Sequence, residues 1–246
     1  MESVAVARND DKIIQIKNLS HSYSKNYIYH NLNLDIYKGS IFGLLGKNGV
    51  GKSTLINILM GYIKPKEGKC LIFDEPSYNL SSKSKEKIAL LYEGFISYDF
   101  MKIKELEQFF SAFYPKWERA VFYDLIDLMG LDYSQKISSL SFGQKSQVVL
   151  GTIFAQNAEL LILDDYSMGL DAGYRRLFVN YLKDHIKGKD KTVLITSHVM
   201  SDLEDLVDDM AIVQKGGQIH MDTMANFNSD KSTSFEDKFL DLVGLY

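Results

Sequence analysis

The chain has 246 residues, 46% of them hydrophobic and 24% charged, with a formal charge of −4 and a single cysteine. That length and apolar content suit one large core. The acidic balance argues against a nucleic-acid backbone as the main partner, and lone Cys70 excludes an internal disulfide, in keeping with a reducing compartment and a buried, inert thiol. No apolar run approaches the roughly 20 residues of a bilayer-crossing helix, and the opening MESVAVARNDDK turns charged too soon for a secretory leader. A cytoplasmic chain without a membrane span is expected.

Residues 13–45 mix alternating apolar runs (Ile14, Ile16; Leu32, Leu34, Ile36) with a turn at Lys38-Gly39 and end in IFGLL, which predicts several strands leading into a glycine loop. Beyond the loop, Leu55, Ile56, Leu59 and Met60 fall at helical spacing and Gly61 supplies a stop. SSKSKEK at 81–87 reads as a solvated surface segment. Residues 100–135 are helix-like and aromatic (Phe109, Phe110, Phe113, Tyr114, Trp117, Phe122, Tyr123), punctuated by Pro115, and predict an inserted helical lobe. A helical pattern from 145 leads to the strand ELLILDD, a helix over 172–187, the strand TVLITSH, a helix near 200–209, the strand MAIVQ, a turn at Gly216-Gly217 and a short strand. Strands alternating with helices predict a mostly parallel sheet that binds ligand at its strands' carboxyl ends.

Gly46-Lys47-Asn48-Gly49-Val50-Gly51-Lys52-Ser53 matches the phosphate-binding pattern G-x-x-x-x-G-K-[ST] where a strand gives way to a helix. Exposed amides and the helix N-terminus suit phosphate charge, Lys52 suits the outer phosphates, and Ser53 suits magnesium, with Thr54 supporting the cradle. A magnesium-bound triphosphate also needs an acidic residue at a neighbouring strand end, which LLILDD supplies at Asp164 and Asp165. LIFDEP at 71–76 has the same apolar-then-acidic form, but it follows the loop helix at once and leads into turn-rich sequence, so Asp164 is preferred.

With Leu140-Ser141-Phe142-Gly143-Gln144 placed between the two motifs, the chain resembles the nucleotide-binding subunits of the ATP-binding-cassette (ABC) family over nearly its whole length. LSFGQ is similar to the family signature LSGGQ, with Phe142 for a glycine. The resemblance implies an α/β fold: a P-loop NTPase core with a mostly parallel sheet, an N-terminal antiparallel β subdomain and an inserted α-helical signature subdomain. One ABC ATPase domain is expected over 1–246, with the β subdomain and phosphate loop at 1–92, the helical lobe at 93–150, the acidic strand and switch histidine at 151–220 and a tail at 221–246.

The resemblance further implies a head-to-tail pair, with itself or a related ATPase, enclosing two ATP molecules and Mg2+. Ser141, Phe142, Gly143 and Gln144 would close over the partner's triphosphate. Tyr23 would stack on adenine, although Tyr27 and Tyr29 lie near; Asp171 in SMGLD would couple the two sites; His198 would contact the outermost phosphate. Two positions depart from the family. Asp165 stands where a glutamate activates the attacking water, one methylene shorter, so slow hydrolysis is expected. Glu93 replaces the magnesium-contacting glutamine, keeping an oxygen ligand and losing the amide donor.

The aromatic segment 95–100 suits either a groove for a membrane partner or packing within the lobe. Glu93, SMGLD and a tail helix with Thr233 and Glu236 at capping-box spacing resemble the ABC-2 exporter branch. The expected role is ATP hydrolysis powering export through a separate polytopic permease, on the inner face of the cell membrane. The alternative is an ATP-driven switch on a membrane or cell-wall complex.

Overall fold

The computed structural model describes residues 11–24, 26–94, 96–167, 170–186, 190–197, 200–214, 217–230 and 232–244. Strands β1 (Lys12–Tyr23) and β2 (Asn26–Tyr37) pair antiparallel, from Lys12 opposite Tyr37 to Tyr23 opposite Asn26. Their alternating residues Ile14, Ile16, Leu32, Leu34 and Ile36 are all buried, as a period of two on a half-buried sheet requires. β3 (Ile41–Gly46) feeds the glycine loop and α1 (Lys52–Leu59), which buries Leu55, Ile56, Ile58 and Leu59. β4 (Glu67–Ile72) then returns beside β1, and β5 (Glu75–Pro76) folds back on β4. Asp74 therefore sits at a hairpin tip of a small antiparallel sheet ordered β2-β1-β4-β5, away from any parallel strand end.

Next come α2 (Ser82–Lys85), mostly exposed and capped by Ser81, and β6 (Ile88–Leu91). The lobe follows: α3 (Ile103–Ser111), α4 (Arg119–Leu128) and α5 (Phe142–Ala155). Ile103, Leu106, Phe122, Ile126, Leu140 and Val148 give it a core of its own. The remaining elements are β7 (Leu160–Leu163), α6 (Ala172–Ile186), β8 (Thr192–Ile195), α7 (Met200–Glu204), β9 (Asp209–Val213), β10 (Ile219–Thr223), α8 (Met224–Phe227) and α9 (Phe235–Leu242).

The second sheet has the order β10-β9-β3-β8-β7-β6, parallel throughout except for β10 at one edge. Its inner strands β3, β8 and β7 are apolar without alternation because each is buried on both faces. In β7, Leu161 and Leu163 enter a core shared with α5, α6 and α7, while Leu160 and Ile162 enter the one under α1 and the antiparallel sheet. Since β3, β8 and β7 are neighbours running the same way, Gly46, Thr196 and Asp164 leave the sheet side by side. Nothing in the sequence pattern gives that strand order.

Three expectations shift in detail. The helix predicted near 200–209 ends at Glu204, because the Asp208 carboxylate accepts from Ile41 N (2.8 Å) and draws the chain into β9. The tail helix is capped one residue later than the Thr233/Glu236 pairing: the Ser234 hydroxyl accepts from Asp237 N (3.1 Å), while Phe235 and Phe239 enter the main core. The divide expected at 150 falls inside α5 and the one at 220 inside β10, so neither marks a break in the chain's packing. No helix among the described residues is long and apolar enough to cross a membrane.

Candidate nucleotide site

The loop between β3 and α1 is shaped by close approaches that only glycine permits. Gly46 has φ 150°, and a Cβ there would meet the Val213 carbonyl oxygen at 2.7 Å; Gly51 has φ 119°, and a Cβ would lie 2.4 Å from Ile28. Asn48 and Gly49 form the exposed tip, Val50 packs against the core under α1, and Lys47 is half-buried. Tyr29, whose role the sequence left open between core and surface, is fully buried, and its hydroxyl donates to Gly51 O (2.9 Å). This residue pins the loop from below, and only its proximity in sequence to Tyr23 had drawn attention to it.

Lys52, Ser53 and Thr54 open α1, which has no side-chain cap, leaving its first amides directed at the loop. The Lys52 ammonium donates to Gly46 O (2.7 Å) and Lys47 O (3.0 Å). Burial lowers its pKa, opposed by the charges of Asp165, Asp164 and Glu93. One lysine thus already senses all three carboxylates that the sequence singled out. Glu93 itself stands exposed in the turn after β6.

Asp164 is only 2% exposed. Its Oδ1 accepts from the Thr196 hydroxyl (2.8 Å), and its Oδ2 is buried without a hydrogen-bond partner among the described residues. Burial pushes its pKa up, with the Thr196 and Ser53 hydroxyls opposing the shift. A buried carboxylate oxygen left over beside a serine hydroxyl fits a divalent cation. Among the described residues no cluster of three His, Cys, Asp or Glu side chains could hold a metal unaided. Magnesium is ordinarily bound by one or two carboxylates plus phosphate oxygens and water, so this donor set suits it when a nucleotide completes the shell.

Asp165 has φ 46°, a left-handed conformation that aspartate tolerates better than most residues. Its N–H donates to Thr196 Oγ1 (2.8 Å) and its Oδ1 accepts from the Ser167 hydroxyl (3.0 Å). Thr196 therefore serves as donor to one carboxylate and acceptor for the next residue. Ser167 also lies 3.1 Å from Ser197 Oγ; with the Ser167 proton given to Asp165, Ser197 must be the donor in that contact. Tyr166 is buried, stacks on Phe178 with centroids 4.4 Å apart, and donates to Asp202 Oδ2 (3.2 Å), which also accepts from Arg175 Nε (3.0 Å). Thr196, Ser197, Tyr166 and Asp202 were not singled out in the sequence, and Ser167 entered only as the first residue of SMGLD; their positions after parallel strands were the available signal. His198 lies outside the described residues, as do Met168 and Gly169.

Tyr23 is 50% exposed at the end of β1, with its ring edge-on to His21. It acts electrostatically on Tyr92, as does Asp164, so the aromatic and the acidic strand end flank one residue. The LSFGQ segment opens α5 at the surface. Ser141 Oγ accepts from Gln144 N (3.2 Å), Gln144 Oε1 accepts from Ser141 N (2.9 Å), and Phe142 is about half exposed. A Cβ on Gly143 would come within 3.0 Å of the Tyr174 ring. Asp171 Oδ1 accepts from Tyr174 N (2.9 Å), so Asp171 and Gly143 meet at one tyrosine.

The family model described as ABC transporter matches residues 29–167, more than half of the chain. The ABC transporter ATP-binding protein YtrB of Bacillus subtilis (strain 168) is 31% identical over 192 residues, 78% of this chain and 65% of that protein. The bacitracin transport ATP-binding protein BcrA of Bacillus licheniformis is 28% identical over 206 residues, 83% of this chain and 67% of that protein. This chain thus spans about two thirds of the length of these curated relatives. A solved ATP-binding subunit of an ABC transporter shares the fold with a TM-score of 0.80 at 19% identity, over 94% of this chain and 99% of that one. The chain belongs to the ABC transporter family and carries its ATP-binding domain.

Proposed function

We propose that this chain binds and hydrolyses Mg-ATP to power export through a separate membrane-spanning partner, working as a head-to-tail pair. The observation that supports it most is the meeting of Lys52, Ser53, Asp164 and Asp165 beyond the ends of β3 and β7, with Thr196 at the end of β8, the strand between those two. Gly46–Gly51 amides and the N-terminus of α1 hold the phosphates, and Lys52 transfers its contacts from the loop carbonyls to the outer phosphates. Ser53 and Asp164 would hold magnesium, with Glu93 offering a further carboxylate oxygen. The ion, when bound, neutralises charge that builds on the transferring phosphoryl group.

Asp165 takes the proton of the attacking water, and the Ser167 hydroxyl fixes which carboxylate oxygen is engaged. The shorter side chain predicts slow turnover. Tyr23 stacks on adenine and His198 contacts the outermost phosphate. The signature residues Ser141, Phe142, Gly143 and Gln144 and the aspartate Asp171, all at the surface of one subunit, close over the nucleotide held by the other.

Exposed apolar residues on the lobe support a membrane partner: Ile96 and Phe100 are each about three-quarters exposed, Tyr98 touches both Phe100 and Phe109, and Phe109 touches the exposed Phe113. Asp99 in that segment binds Lys145 of α5 through both oxygens (2.8 and 2.9 Å), which ties the patch to the helix that begins with the signature.

Two measurements test the reading. Purified chain should release phosphate from ATP faster than its Asp165→Asn variant; equal rates remove the hydrolysis assignment. Native membranes solubilised in mild detergent should yield the tagged chain with one polytopic protein in near-equal amount. Recovery with a single-span or wall-associated protein instead would favour a regulatory switch.

A further inference from the structure

We propose that one buried water bridges Ser146 and Asp165 and holds the Asp165 carboxylate in its working orientation, which makes Ser146 a positioning residue. The inference deepens the hydrolysis reading, since it rests on Asp165 as the group that takes the proton. Ser146 lies in the second turn of α5, is 4% exposed, and its Oγ is buried with no hydrogen-bond partner among the described residues. A buried hydroxyl of this kind costs stability unless something polar meets it.

Beside it is a cavity of about 10 Å³, bounded by the end of β6 and the turn after it (Leu91, Tyr92, Gly94), by Ser146 of α5, and by Asp165 and Tyr166 after β7. That is about the room one water needs. Apolar cavities of this size stay dry, but this one joins a hydroxyl, an aspartate and the backbone of the turn holding Glu93, enough polar groups to bind a water. The Ser146 O–H donates to the water oxygen, and the water donates to Asp165.

The hydrogen bond given by the water fixes which way the Asp165 carboxylate faces. The anchor of the water belongs to α5, whose first turn is the signature, whereas the carboxylate belongs to the parallel sheet. Movement of the lobe against the sheet therefore displaces the water and alters the base directly.

Crystals of the full chain, diffracting well enough to show ordered solvent, should place a water within hydrogen-bond distance of both Ser146 Oγ and Asp165. Ser146→Ala removes the anchor and Ser146→Val fills the space. Each should lower kcat about three- to tenfold with the KM for ATP unchanged. A purely structural serine would lower Tm and leave kcat where it was. Wild-type density with no water in the cavity, or a kcat unmoved in both variants, overturns the proposal. Wild-type turnover no faster than Asp165→Asn overturns the hydrolysis reading, and the density then decides on the bridging water by itself.

Discussion

The phosphate loop and the acidic end of β7 lie side by side, yet they are built on opposite plans. The loop is local: Lys52 bonds carbonyls five and six residues back, and glycines 46 and 51 set its path. The acidic end is assembled from a distance: Asp164 and Asp165 meet Thr196, 32 and 31 residues on, and Ser167 meets Ser197 across 30 residues. A local site survives as long as its turn can form, whereas an assembled one depends on strand register. β7 and β8 must pair Leu163 with Ile195 for Thr196 to reach both aspartates.

The largest effect expected from breaking this contrast is on the local side. Lys52→Ala should cut ATP turnover on the order of 100-fold or more, as loss of a charged contact to the reacting phosphate does. It should leave Tm unchanged or slightly raised, because the amine is held against the cost of burial. Phosphate release and thermal melting measured on one preparation check both halves.

Thr196→Val should act on the assembled side and reduce stability and activity together. It removes the donor to Asp164 and the acceptor for Asp165 N, costing about 2 kcal/mol as two buried partners are lost. Denaturant unfolding beside steady-state kinetics reads this out. A loss of activity with stability intact would mean that Thr196 does not hold the two carboxylates together.

Asp164→Asn should reveal the strain at the cation position. Burial raises the folded-state pKa of Asp164, so its favourable contribution is complete below the unfolded value near about 3.9 and is lost as pH rises through the folded value. The nucleotide-free variant should therefore melt a few degrees above wild type at neutral pH, with the difference closing towards pH 4. It should lose the further stabilisation that magnesium with ATP gives wild type.

The smallest effect belongs to Tyr29→Phe, which removes one hydrogen bond under the loop. About 1 kcal/mol of stability and a two- to threefold rise in the KM for ATP are expected. An unchanged KM would show that the loop keeps its shape without that support.

The sequence by itself determined the parts whose geometry is local. G-x-x-x-x-G-K-S states its own turn and helix start, LLIL followed by two aspartates states a buried strand with charge at its exit, and S-F-G-Q states a capped helix, which Ser141 and Gln144 form. Patterning also separated Asp164 from Asp74, which the fold places on a hairpin tip. Tertiary structure alone decided which strands are neighbours, and so which hydroxyls reach the carboxylates. Thr196, Ser197 and Ser146 are unremarkable in the chain because serine and threonine occur everywhere. They matter only because strand order, and the packing of α5 on the sheet, bring their hydroxyls to the acidic end of β7 in a buried setting where polar contacts are strong.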